Sequence, residues 1–178
     1  MRLCFLLLCF CVCYSSNGQP FLLSEGARDN AALLDPVINL RASFNDGKLW
    51  PSVKLAEGYN LTAKSFEALR VRYVKYFPDD VLVKALALPS GPLDRSFVRW
   101  TLGMINPDKT ITILGQLIVS YKGIDPVLDK PLISNIQLKS PAEISALDPQ
   151  LIQKMYAEAL KIRKSLPPDP GPPPLPGH

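Results

Sequence analysis

The sequence predicts an α+β domain: an antiparallel sheet of about four or five strands packed on one long helix, then a C-terminal amphipathic helix and a disordered proline-rich tail. Three observations carry this reading. Phe66, Leu69, Tyr73 and Phe77 recur at +3, +4 and +4, the apolar stripe of a helix. Three runs rich in β-branched and aromatic residues, 81–88, 97–105 and 110–121, follow with turn chemistry between them. From Leu166 onward seven of the last thirteen residues are proline, which lacks an amide donor and fixes φ, so neither helix nor sheet continues.

Taken in order, the first elements are the weakest. A short helix is expected near 24–34, then a strand over Val37 to Phe44, stopped by Asn45-Asp46-Gly47, since Asp-Gly suits the positive φ of a tight turn. Thr62 is placed to cap the long helix, which runs to Phe77 ahead of Pro78. Ser90-Gly91-Pro92 separates the first two strand runs, and Asn106-Pro107-Asp108-Lys109 joins the next two as a hairpin. In the third run Ile111, Ile113, Gly115, Leu117, Val119 and Tyr121 fall on one face by alternation, and Gly115 marks a bulge or bend. A fifth strand is expected at 132–138.

Helical signals then return. Ser140-Pro141-Ala142-Glu143 has a capping hydroxyl, proline at the first helical position and a carboxylate three residues on, the pattern of a capping box. Asp148-Pro149 restarts a helix to about Ser165, with Leu151, Ile152, Met155, Ala159 and Ile162 as its docking face and basic residues in its last turn. The tail contains PxxP spacings, such as Pro170 to Pro173, and reads as a solvated spacer of about 3.1 Å per residue.

The N-terminus carries an address. Arg2 precedes an unbroken apolar run from Leu3 to Tyr14, too short for the roughly 20 residues of a membrane-crossing helix, and Ser16-Asn17-Gly18 offers small residues before a cut. Residues 1–18 are therefore expected to be a signal peptide, 19–165 one globular domain, and 166–178 the tail. The 178 residues hold 20 Lys+Arg, 16 Asp+Glu and 4 Cys. Cleavage after Gly18 leaves 160 residues with 19 basic and 16 acidic side chains, a formal charge of +3, and removes Cys4, Cys9, Cys11 and Cys13. Without disulfides, a chain this size relies on burying roughly 68–70% of its unfolded surface. Its charge is weak and unclustered, so nucleic acid is not an expected partner, and stable membrane insertion is not expected either.

Catalytic templates are poorly served. The one histidine, His178, is the last residue of the tail, so Ser-His-Asp, Cys-His and His/Cys zinc arrangements lack their parts. Asp79 and Asp80 are the adjacent acidic pair, and their place after Pro78 reads as a turn or cap. No cofactor motif is present, and the expectation is a chain that is not an enzyme and binds no cofactor or metal. Asn60-Leu61-Thr62 is a glycosylation acceptor in an exported chain. Trp100 sits at a core-patterned position, whereas Trp50, between Leu49 and Pro51, is the candidate for surface contact.

Residues 37–122 resemble SEA modules of mucin-type extracellular proteins. The likeness rests on the helix opening Tyr59-Asn60-Leu61-Thr62-Ala63-Lys64-Ser65-Phe66-Glu67-Ala68-Leu69 and on Gly115-Gln116-Leu117-Ile118-Val119, set against that family's Gly-Ser-Val-Val-Val strand. Gln116 replaces the serine through which some members cleave themselves, so self-cleavage is not implied here. The element order equally suits a cystatin-like or nuclear-transport-factor-like curved sheet.

These readings lead to a secreted, non-catalytic interaction or structural protein, a component of a matrix or secretion with an extracellular protein or matrix partner. The alternative is a secreted carrier of a small apolar ligand, with the sheet curved around the helix and a cavity of about 300–1,000 Å³ left where Phe66, Tyr73, Trp100 and Ile113 would otherwise pack.

Overall fold

A computed structural model gives the structure of the protein at residues 18–26, 31–127 and 129–167. The expected leader, the tail beyond Pro167 with His178, and residues 27–30 within the expected 24–34 helix lie outside the described residues. The strands are β1 (Gln19–Gly26), β2 (Leu86–Leu93), β3 (Phe97–Ile105), β4 (Ile111–Asp125) and β5 (Lys130–Lys139). The helices are α1 (Ala31–Asp46), α2 (Ala63–Tyr76), α3 (Asp79–Lys84) and α4 (Pro149–Ser165). The sheet order is β2-β1-β3-β4-β5, with β1 parallel to β2 and the other neighbours antiparallel, so the sheet is mixed rather than antiparallel throughout.

The first quarter of the chain departs most from expectation. Residues 19–26 form a strand because Phe21 and Leu23 alternate with half-buried neighbours and both go into the core. Residues 37–44 are the middle of α1, not a strand. β-Branched Val37 and Ile38 favour a strand locally, but Leu33, Val37, Leu40 and Phe44 recur at +4, +3 and +4, and burying that stripe outweighs propensity. Pro36 forfeits one intrahelical hydrogen bond in the process. Residues 81–84 belong to α3, whose first turn carries Asp79 and Asp80 at the positive end of its dipole. β2 begins only at Leu86 and runs through Ser90-Gly91-Pro92.

Other elements fall where the pattern puts them. α2 is capped by Thr62, whose side chain accepts from the Ser65 amide at 3.2 Å. Phe66, Tyr73 and Phe77 are buried, with Leu69 half-buried beside them. The capping sequence at Ser140 makes only a single 3₁₀ turn, Pro141–Glu143, in which the Glu143 carboxylate accepts from the Ser140 amide and hydroxyl at 2.7 and 2.6 Å. Asp148 caps α4 by accepting from the Gln150 amide at 2.9 Å.

The sheet buries both faces. α1, α2 and α3 cover one, where Trp100, Leu102, Leu117, Val119 and Ile133 meet Phe44, Phe66 and Tyr73. The ring centroids of Phe44 lie 5.4 Å from Phe66 and 5.0 Å from Tyr73, and Tyr73 stacks on Phe77 at 5.1 Å. α4 covers part of the opposite face, placing Ile152 among Phe21, Leu23, Leu86, Leu88 and Ile105. Its docking stripe is Ile152, Met155, Tyr156, Ala159 and Leu160. Leu151 and Ile162, expected in that stripe, are exposed.

A bulge explains a second correction. Leu102 pairs with Gly115 and Gly103 with Ile113, which leaves Leu114 as the extra residue. The alternation therefore changes phase in mid-strand: Gly115, Leu117 and Val119 face the helices, while Ile111 and Ile113 turn to the α4 side. Both sheet edges are dulled. β2 carries Pro89 and Pro92, and the β5 edge is bridged by residues 54–56, with the Ala56 amide donating to the Ile133 carbonyl at 2.8 Å and the Ile133 amide to Lys54 at 2.9 Å.

Candidate functional site

The volume beneath the helices, where a carrier would keep its cavity, is filled by the aromatic ladder Phe44, Phe66, Tyr73 and Phe77. An open apolar groove of about 530 Å³ lies instead toward the β2 side of the sheet. Its walls come from five elements, with Leu86 and Ala87 of β2 at the sheet edge. β1 contributes Leu22, because Phe21 and Leu23 take the α4 face and leave the alternate positions to the other side. β3 contributes an edge of Trp100, which pairs with Ser24. α1 contributes Leu34, one residue beyond buried Leu33, the last turn of α4 contributes Ile162, and the residue that caps it contributes Leu166.

Ile162 and Leu166 are each 62% exposed, although both are large and apolar. Trp100 is buried at 8% exposure, as its pattern predicts, yet still reaches the groove. Arg163, exposed at the rim, forms no ion pair among the described residues. The arrangement offers an apolar seat with a positive charge at its lip.

Trp50 is not part of this groove. It is 36% exposed, its indole Nε1–H donates to Asp46 at 2.9 Å, and its amide donates to the Ser43 hydroxyl at 3.0 Å. The side chain thus finishes the C-terminal end of α1, about 18 Å along that helix from Leu34. Its donated hydrogen bond, with Lys48 nearby, holds the Asp46 carboxyl below the usual range. Asn60 is exposed in the turn before α2, next to the Thr62 cap. Neither residue lies at the β2 side, and no sequence signal unites the groove residues: Ile162 reads as part of the α4 docking stripe, and Leu22, Leu34 and Leu166 carry no pattern that joins them to it.

The acidic pair has a structural task. Asp79 accepts from Asn45 at 3.4 Å and faces the Arg41 guanidinium at 3.5 Å, joining α3 to α1, while Asp80 is exposed. Beneath them the Tyr73 hydroxyl is buried without a hydrogen-bond partner. Burial, helped by the Asp79 charge and opposed by Arg41, pushes its ionisation well above the ordinary phenol range. On the α4 face Gln116 Nε2 donates to the Thr101 hydroxyl at 2.9 Å, a buried polar pair that satisfies itself inside the sheet. Among the described residues no group of three or more His, Cys, Asp or Glu side chains is arranged to hold a metal ion, and no helix is long and apolar enough to cross a membrane. No protein-family model, curated protein or solved structure matches this chain.

Proposed function

We propose that the chain is exported and acts as a non-catalytic extracellular interaction protein, contacting its partner through the groove of Leu22, Leu34, Trp100, Ile162 and Leu166. One observation carries the reading: two large apolar side chains at the end of α4, Ile162 in its last turn and Leu166 at its C-cap, stand 62% exposed over an open apolar groove, where solvation alone would favour polar residues. The fitting partner is an extracellular polypeptide with an apolar anchor and a carboxylate near it, the anchor seated against Trp100 and Ile162 and the carboxylate beside Arg163. The leader-like start of the sequence and the resemblance to SEA modules support the extracellular setting. The proline-rich tail, which leaves directly from the groove wall at Leu166, serves as a spacer.

A second reading is favoured by the groove volume. About 530 Å³ lies within the range of small-molecule sites, so the same surface also suits a small apolar ligand. Native mass spectrometry of the full chain, collected from the medium of exporting cells, separates the two. The interaction reading expects the mature mass with no small-molecule adduct. A stoichiometric adduct that disappears in Ile162→Asp favours the carrier, and retention of the protein inside the cells contradicts both.

A further inference from the structure

We infer that Gln19, once it becomes the first residue of the exported chain, cyclises to pyroglutamate. The inference rests on cleavage after Gly18. That cut gives Gln19 a free α-amine within reach of its own side-chain amide. The amine nitrogen attacks Cδ, the N–Cδ bond forms, and the Cδ–Nε2 bond breaks. Nε2 leaves as ammonia with the proton the amine gives up, so no oxidant or co-reactant is needed. An α-amine has an ordinary pKa of about 7.7–8.0, which leaves part of it unprotonated near neutral pH. Closing a five-membered ring also makes the attack intramolecular, with a high effective concentration of the two groups.

The structure gives the reaction its setting. β1 begins at Gln19, paired with Ile105, so a cut after Gly18 leaves the strand whole. Gln19 is exposed, and its side-chain amide makes no hydrogen bond among the described residues, so nothing holds it away from the amine. It stands at the lip of a second groove that it shares with Ile105, Lys109 and Tyr156. A protonated amine there adds a positive charge to a wall that already carries Lys109, and the neutral lactam removes it.

The position also gives the modification a consequence. β1 lies between β2 and β3, and its Phe21 and Leu23 fill the core under α4. Trimming from the N-terminus would take apart an interior strand, and a lactam offers exopeptidases no free amine.

The test is the mass of the full chain recovered from the medium of exporting cells, with tandem sequencing of its first peptide. The expected result is a chain that starts at residue 19, lighter by one ammonia, with the loss located on that residue. A chain starting at an open Gln19 overturns the cyclisation and leaves the cleavage standing. A chain starting elsewhere overturns both. Gln19→Asn has a side chain one methylene too short for the five-membered lactam and is expected to keep an open amine, so an equal loss of ammonia in that variant also overturns the inference.

Discussion

The Tyr121 hydroxyl donates a 2.7 Å hydrogen bond to the Leu33 carbonyl, 88 residues away in sequence, and so pins the first turn of α1 to β4. The contact is buried, and burial pushes the phenol's ionisation well above its ordinary range, so it remains a donor throughout the neutral range. Tyr121→Phe removes the donor and leaves a helical carbonyl that retains a second acceptor site. The expected loss is about 0.5–1.5 kcal/mol, read as a lower urea midpoint with an unchanged slope.

Gly115 is a point of close approach between β4 and α2. A Cβ placed there would stand 2.5 Å from the Cβ of Tyr76, a contact with the root of a side chain rather than its flexible end. Gly115→Ala is expected to destabilise the fold by about 1–3 kcal/mol, measured by thermal or urea unfolding. Stability equal to that of the parent would show that α2 moves away freely.

The same strand shows what the sequence makes legible. The helices at 62–77 and 149–165 are readable because a periodic pattern, a cap and a breaker agree in each, and strand 97–105 because a run of β-branched and aromatic residues lies between turn signals. The bulge is only half readable. Gly115 flags it, but the phase change that sends Ile113 to the α4 side depends on which residues pair across the ladder, a non-local fact. α1 is hidden by Pro36 and two β-branched residues, which speak against a helix until Leu33 and Phe44 are read with Val37 and Leu40 as one stripe. The groove is less legible still. Leu22, Leu34, Trp100 and Ile162 are far apart in sequence, and each alone looks like an ordinary core residue.

Acid sensitivity is expected from four exposed carboxylates with lowered values. Asp46 is held down by Trp50 and then Lys48, Asp94 by Ser96, Asp108 by Thr110, and Glu143 by Ser140 and, more weakly, Arg72. Each binds its proton less readily in the folded chain than in the unfolded one. The stability it lends is complete above the ordinary values of 3.8 for Asp and 4.5 for Glu, and is lost as pH falls through the lowered folded values. Trp50→Phe removes the largest cause at Asp46, so its carboxyl carbon is expected to titrate at higher pH in an NMR series. An unchanged titration would break the link between the indole and the carboxylate.

Asn60 and Thr62 allow glycosylation and helix capping to be separated. In chain recovered from exporting cells, Asn60→Gln is expected to lose a glycan released by an amidase, with the cap intact. Thr62→Ser keeps both functions. Thr62→Ala is expected to lose the glycan together with about 1 kcal/mol of stability, because the Ser65 amide loses its acceptor. Identical masses for the parent and Asn60→Gln would remove the glycan from the account.

The groove is tested most directly by energy transfer from Trp100 to anilinonaphthalene sulfonate in the full chain carrying Trp50→Phe, which leaves Trp100 as the one indole donor. Saturable transfer at a single site is expected, abolished by Ile162→Asp while the unfolding midpoint stays near that of the parent, since Ile162 is 62% exposed. Transfer that survives Ile162→Asp undiminished, or is absent from the start, would contradict an open apolar seat between Trp100 and the end of α4.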